Sequence, residues 1–192
     1  MLPLLTNCTR IWYHIDMKNF DKVYEVAAER YGLITVEDAA ELGIHRKQLL
    51  FWAANGRLER CGRGVYRIKY HVPTPYDHYA EAVALVGRGA IIYGDGVLAM
   101  HNLGLVNPKQ IQVAVEKRVR KNLPEWIRLV KRVNGVKEEM FEGIACQTVA
   151  DAIRTCRGTV MRERLVDAID EAERQGLVGR QEYQELKREF AQ

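Results

Sequence analysis

Apolar and polar positions along the chain change period several times, and each change marks an element. Phe20, Val23, Tyr24, Ala27 and Tyr31 recur at helical spacing. They predict a helix from about Asn19 to Tyr31, stopped by Gly32. Thr35-Val-Glu-Asp38 has the form of a capping box with aspartate at its last position, so a second helix starts there. Val36, Ala39, Ala40 and Leu42 form its apolar stripe, Gly43 makes a tight turn, and Ile44 plugs the angle that follows. A third helix is expected from Arg46 to Asn55, ended by Gly56. Its wheel puts Leu49, Trp52 and Ala53 on a core-facing side and Lys47, Gln48, Phe51 and Asn55 on the other. Leu58–Cys61 and Val65–Ile68 then read as paired strands around Gly62-Arg-Gly64. Helix, turn, helix and basic hairpin in that order predict a winged helix-turn-helix over residues 17–70.

Residues 71–76, with Pro73 and Pro75, read as a stiff linker, because proline blocks helix continuation. Beyond it the pattern predicts an α/β domain over 77–192. Helices are expected at Asp77–Val86 and from an Asp95 cap through Leu103, and strands at Ala90–Tyr93, Ile111–Val115 and Trp126–Val130. Val133-Asn-Gly-Val136 carries a hairpin signal, with Lys137–Glu142 completing a small sheet. Thr148 is placed as a helix cap, and two helices, Val160–Arg174 and Arg180–Phe190, close the chain. The expected class is therefore α+β. Residues 1–16 show no clear period and read as an extension or an upstream start choice ahead of Met17, or equally as an arm that reaches a partner or DNA.

Charge sharpens this picture. The net charge is only +4, but from Leu42 to His71 the acids reduce to Glu59 against Arg46, Lys47, Arg57, Arg60, Arg63, Arg67 and Lys69. Such a patch attracts a phosphate backbone. Arg46 and Lys47 open the third helix, and arginine and glutamine can pair bidentately with a purine edge, so Arg46, Lys47, Gln48 and Phe51 are candidate DNA contacts. Phe51 has an equal bland reading, packing against the wing. Arg60, Arg63 and Arg67 are the wing's candidate phosphate contacts, with Arg63 at its tip. A second basic run, Lys117, Arg118, Arg120 and Lys121, is either a solvated loop or an interaction surface. The terminal helices mix acids with arginines, as solvated faces with local charge pairs do.

Chemistry for catalysis is thin. The chain has no serine and no Gly-Lys pair, which excludes serine nucleophiles and the Walker phosphate loop. Cys8, Cys61, Cys146 and Cys156 are scattered, and five histidines are dispersed without ligand spacing. No metal or cofactor is expected, and His101 is assigned to structure. Asp95, Glu116 and Lys117 are the one nuclease-like candidate; consecutive strand residues point to opposite faces, which counts against it. Gly94-Asp-Gly96 is explained by a strand-to-helix turn. No apolar run reaches the roughly 18 residues of a membrane span, and no signal peptide is expected.

The chain resembles the AbiEi-type antitoxins of bacterial type IV toxin–antitoxin systems. The resemblance rests on Ala39-Ala-Glu-Leu-Gly-Ile44, Arg46-Lys-Gln-Leu49, Asn55-Gly-Arg-Leu-Glu-Arg60 and Gly62-Arg-Gly-Val-Tyr66. After the linker it continues in Leu98-Ala-Met-His-Asn-Leu103 and Gln147-Thr-Val-Ala-Asp-Ala-Ile-Arg154. His45 stands where the family usually has serine or threonine, and Asn102 where glycine is common. The resemblance implies a non-enzymatic cytoplasmic protein. Its winged helix would bind double-stranded DNA at repeats, expected to be inverted, in its own promoter and repress it. Its C-terminal domain would counter a nucleotidyltransferase-type toxin, without any need to bind it directly. Three other readings stay open: a winged-helix regulator without a toxin, a protein-interaction module that does not bind DNA, and a nuclease with a DNA-binding arm.

Overall fold

A computed structural model describes residues 7–133 and 135–191, with side chains from residue 17 onward. The protein is α+β and divides into two compact units, one ending at Asp77 and the other beginning at His78.

The first unit contains α1 (Asn7–Ala28), β1 (Leu33–Thr35), α2 (Val36–Glu41), α3 (Arg46–Ala54), β2 (Leu58–Gly62) and β3 (Val65–Ile68). The strands form one antiparallel sheet in the order β1-β3-β2. This is a winged helix-turn-helix. Two features differ from the sequence expectation. The first helix begins at Asn7 rather than Asn19, so Met17 lies inside it; residues 1–6 of the expected extension lie outside the described residues. A third strand, β1, precedes α2; three residues are too few to display a period.

The core explains the rest. Leu49 and Trp52 of α3 are fully buried with Val23, Ala27, Ile34 and Ile44. Phe20 meets Trp52 edge-on, with ring centroids 5.2 Å apart, a favoured geometry for aromatic pairs. The Arg57 guanidinium lies 3.5 Å above the Phe20 ring. The capping box at Thr35 forms as its sequence predicts. Thr35 Oγ1 accepts from the Asp38 amide at 3.0 Å, and Asp38 Oδ2 accepts from the Thr35 amide at 3.0 Å. Between α2 and α3, Gly43 takes φ +73°, which lets its amide and that of Ile44 reach back to Ala40 and Ala39.

The second unit contains α4 (Asp77–Val86) apart from its first residue, then β4 (Ile91–Ile92), α5 (Asp95–Met100), β5 (Ile111–Val115), β6 (Ile127–Lys131), β7 (Glu138–Phe141), β8 (Ile144–Gln147), α6 (Val149–Thr155), α7 (Arg162–Arg174) and α8 (Arg180–Phe190). Its mixed five-stranded sheet has the order β6-β5-β4-β8-β7. Central β4 runs antiparallel to β5 and parallel to β8.

That topology corrects the hairpin expectation. Asn134 lies outside the described residues, but the strands flanking Val133–Val136, β6 and β7, sit at opposite edges of the sheet. The hairpin falls one strand later, where β7 and β8 pair through Glu142-Gly143. Both linking residues have positive φ, +48° and +76°, as a twist-matched two-residue turn requires. Asn-Gly is a strong local signal, but pairing was decided by burial: β8 is the more buried of the hairpin's two strands and takes the place beside β4.

Two helix caps also differ. Gly94, not Asp95, precedes α5, and its φ of +58° makes the turn. Thr148 occupies the cap position of α6, but its side chain makes no cap bond. Asp151 instead accepts from the Lys137 amide at 3.1 Å, fastening α6 to the start of the hairpin. The charges of the terminal helices pair between elements: Lys187 meets Asp170 at 2.8 Å and Arg154 meets Glu189 at 2.9 Å.

Candidate nucleic-acid interface

The start of α3 is built by an unusual cap. His45 Nδ1 accepts from the Lys47 amide at 3.2 Å, and Gln48 Oε1 accepts from the His45 amide at 3.3 Å. Histidine thus does what serine or threonine does elsewhere: a side-chain acceptor satisfies an amide that the first helical turn leaves unpaired. The arrangement has a consequence for recognition. Gln48, expected to face a base, is half-buried and folded back on the cap. Arg46 and Lys47 are exposed in the same turn, where no acid accompanies them. The positive end of the helix dipole and the two cations give that turn positive potential.

Phe51 is 57% exposed and Leu50 43%, so both present much of their apolar surface to solvent. Asn55 donates from Nδ2 to the Phe51 carbonyl at 2.8 Å and closes the helix. On the wing, Arg63 is exposed at the tip between β2 and β3. Arg60 is exposed too, but its Nε donates to the Gly62 carbonyl at 3.3 Å, which lays the arm along the wing backbone. Arg67 sits half-buried on the central strand β3, opposite Glu59 and Leu33 in the register. The seven candidate contacts therefore divide. Arg46, Lys47, Phe51 and Arg63 are presented to solvent, Arg60 is partly committed, and Gln48 and Arg67 are drawn into the fold.

Residues 21–69 match the family model described as transcriptional regulator, AbiEi antitoxin. The AbiEi match runs from within α1 to the strand that completes the wing and ends before the second unit begins. Its exposed cationic turn and wing tip both fall inside it. No curated protein matches the chain. Among the described residues, no helix is long and apolar enough to cross a membrane.

In the segment that follows the AbiEi-matched region, His71 Nε2 and Asp77 Oδ2 lie 2.8 Å apart, and Thr74 donates to Asp77 from both its amide and its hydroxyl. Burial works against the Asp77 charge, but these donors hold its carboxyl below the usual range. The expected linker is a hydrogen-bonded turn.

The second unit rearranges its own candidates. Lys117, Arg118 and Arg120 are exposed in the connection from β5 to β6. Lys121 is not free with them, because its ammonium lies 3.3 Å from the Leu85 and Val86 carbonyls and caps the end of α4. Glu116 and Lys117 lie past the last residue of β5, so strand alternation does not govern them, and Glu116 sits 3.9 Å from Arg132. Asp95 instead accepts from Gln112 at 2.9 Å; burial raises its carboxyl, against that hydrogen bond and the Arg128 charge.

Two groupings were missed from the sequence. Fully buried Gln147 accepts from the Gly94 amide at 3.0 Å and donates to Thr155 at 2.8 Å, fixing the turn into α5. His101, Glu139 and Cys146 also converge. Only the fold could reveal either set, since sheet pairing brings together residues far apart along the chain.

Proposed function

We propose that this protein is a DNA-binding autorepressor and antitoxin of the type IV kind. The observation that carries the reading is the coincidence of the AbiEi regulator match with a helix-turn-helix whose recognition helix opens on exposed Arg46 and Lys47. The first unit would bind double-stranded DNA at inverted repeats in its own promoter. Arg46 and Lys47 would enter the major groove, and Arg63 would hold a phosphate at the flank. Phe51 would touch a thymine methyl. Residues 77–192 would counter a nucleotidyltransferase-type toxin in the cytoplasm, with Lys117, Arg118 and Arg120 as the surface and Lys121 as its internal anchor. No reaction is assigned to the chain in this reading.

Titration of the upstream DNA by fluorescence anisotropy tests the first half. Arg46→Ala is expected to cost about 1–3 kcal/mol of specific binding if the guanidinium reads a base edge. Unchanged affinity in the Arg46→Ala/Lys47→Ala double variant, near physiological salt, rejects the assignment of α3. One observation favours a second reading: Leu50 and Phe51 form an exposed apolar pair on that helix, as a protein-docking face would. A chain that binds no upstream DNA with measurable salt dependence is better described that way.

A further inference from the structure

Three side chains of different donor chemistry meet in the second unit. Glu139 and Cys146 are direct partners across the β7–β8 ladder, which sends both side chains to one face of the hairpin. His101 closes the C-terminal end of α5. A ring nitrogen of His101, a carboxylate oxygen of Glu139 and the Cys146 sulfur all lie within 4.8 Å of one another. We propose that His101, Glu139 and Cys146 bind a divalent transition-metal ion of the zinc class.

The donor set selects that class. Magnesium and calcium take oxygen ligands, whereas mixed nitrogen, oxygen and sulfur donors suit a borderline-soft ion. Charge balance agrees. A neutral imidazole, a carboxylate and a thiolate offset a divalent cation in full, so the loaded site is neutral and tolerates burial. The thiol proton leaves to solvent as the metal–sulfur bond forms.

An independent observation points the same way. His101 is 6% exposed, and its Nε2 is buried without a hydrogen-bond partner. Buried polar atoms are nearly always satisfied. Packing alone explains the ring, whose centroid lies 3.9 Å from that of the tilted Phe141 ring, but leaves the nitrogen unaccounted for. Cys146 is wholly buried and its sulfur now contacts the Glu139 carbonyl at 3.6 Å, a weak interaction that binding would replace. Ligand atoms around tetrahedral zinc are separated by roughly 3.3–3.8 Å, so closure asks for side-chain movements of about 1 Å. Three protein ligands leave one position for water. The ion would pin the edge strand β7 and its hairpin to the end of α5.

Cobalt(II) is the probe, added to the full chain after chelator treatment under reducing conditions. A one-to-one, saturable thiolate-to-cobalt charge-transfer band that zinc displaces is expected. Cys146→Ser should abolish the band, while Cys8→Ser, Cys61→Ser and Cys156→Ser should keep it. Glu139→Gln, the mildest change, should weaken binding at least about tenfold. X-ray absorption of the zinc-loaded protein should report one sulfur in the first shell. The proposal is overturned if the folded natural chain gives no saturable band, a result that depends on no variant. It is equally overturned if the band survives in folded Cys146→Ser, or if folded Glu139→Gln binds as tightly as the natural chain.

Discussion

Gln48 shows how a single residue can be claimed by two jobs. On a helical wheel it lies on the outward side of α3 beside Lys47, and its amide suits an adenine edge. In the fold its oxygen accepts from the His45 amide and completes the cap. Only the acceptor is used there, so Gln48→Glu retains the cap while Gln48→Ala removes it. Chemical denaturation should place Gln48→Ala about 0.5–1 kcal/mol below the natural chain and Gln48→Glu within error of it. Equal losses in both variants would show that the amide group, not the acceptor, matters. Asn102 carries a similar lesson. Its φ of +56° is a left-handed conformation, one that glycine adopts without strain and asparagine tolerates. The residue was visible in the sequence as a departure, but its conformation was not.

Elements were legible where their signals are local and complete. The Thr35 capping box, the Gly43 turn and the apolar side of α3 need only neighbouring residues, and all three form as expected. The β7–β8 hairpin was misplaced because Asn134-Gly135 has the stronger turn signature, while register in a sheet answers to burial across strands. The capping box is electrostatic as well as geometric. Burial opposes the Asp38 charge, yet the Thr35 hydroxyl and amide and the Arg30 guanidinium hold its carboxyl below 3.8. A carboxyl depressed on folding stabilises the protein fully above its unfolded value, and that contribution is lost as pH falls through the folded one. Asp38→Asn keeps an acceptor but no charge. It should therefore cost about 0.5–1 kcal/mol at neutral pH, a gap that closes below about pH 4. A gap of constant size from pH 7 to 3 would mean that charge is irrelevant to this cap. For the wing, Arg63 at the exposed tip is expected to hold phosphate. Arg63→Ala should flatten the salt dependence of DNA binding by about one unit and weaken all sequences alike. A changed sequence preference with the salt slope intact would assign the wing to base reading instead.

At the scale of the whole molecule, each unit has its own buried core. The first gathers around Trp52, and the second includes the fully buried Leu98, Leu103, Val113 and Ile153. Compact units with separate cores fold independently as a rule. The boundary matters, however. Asp77 is the first residue of α4, yet its carboxylate is bonded to Thr74 and His71. A cut at residue 75 severs those bonds and a cut after Asp77 keeps them. Fragments 1–77 and 78–192 should therefore each unfold cooperatively in thermal melts, and fragment 1–77 should be more stable than fragment 1–75. With both fragments folded, division of labour becomes measurable. Fragment 1–77 is expected to bind upstream DNA and give no protection against a cognate toxin. Fragment 78–192 is expected to restore growth without binding DNA. If the second fragment is folded and abundant yet fails to protect where the whole chain succeeds, neutralisation needs both units. If the whole chain fails as well, repression alone is the function, and the exposed cations at 117, 118 and 120 are a solvated loop between β5 and β6.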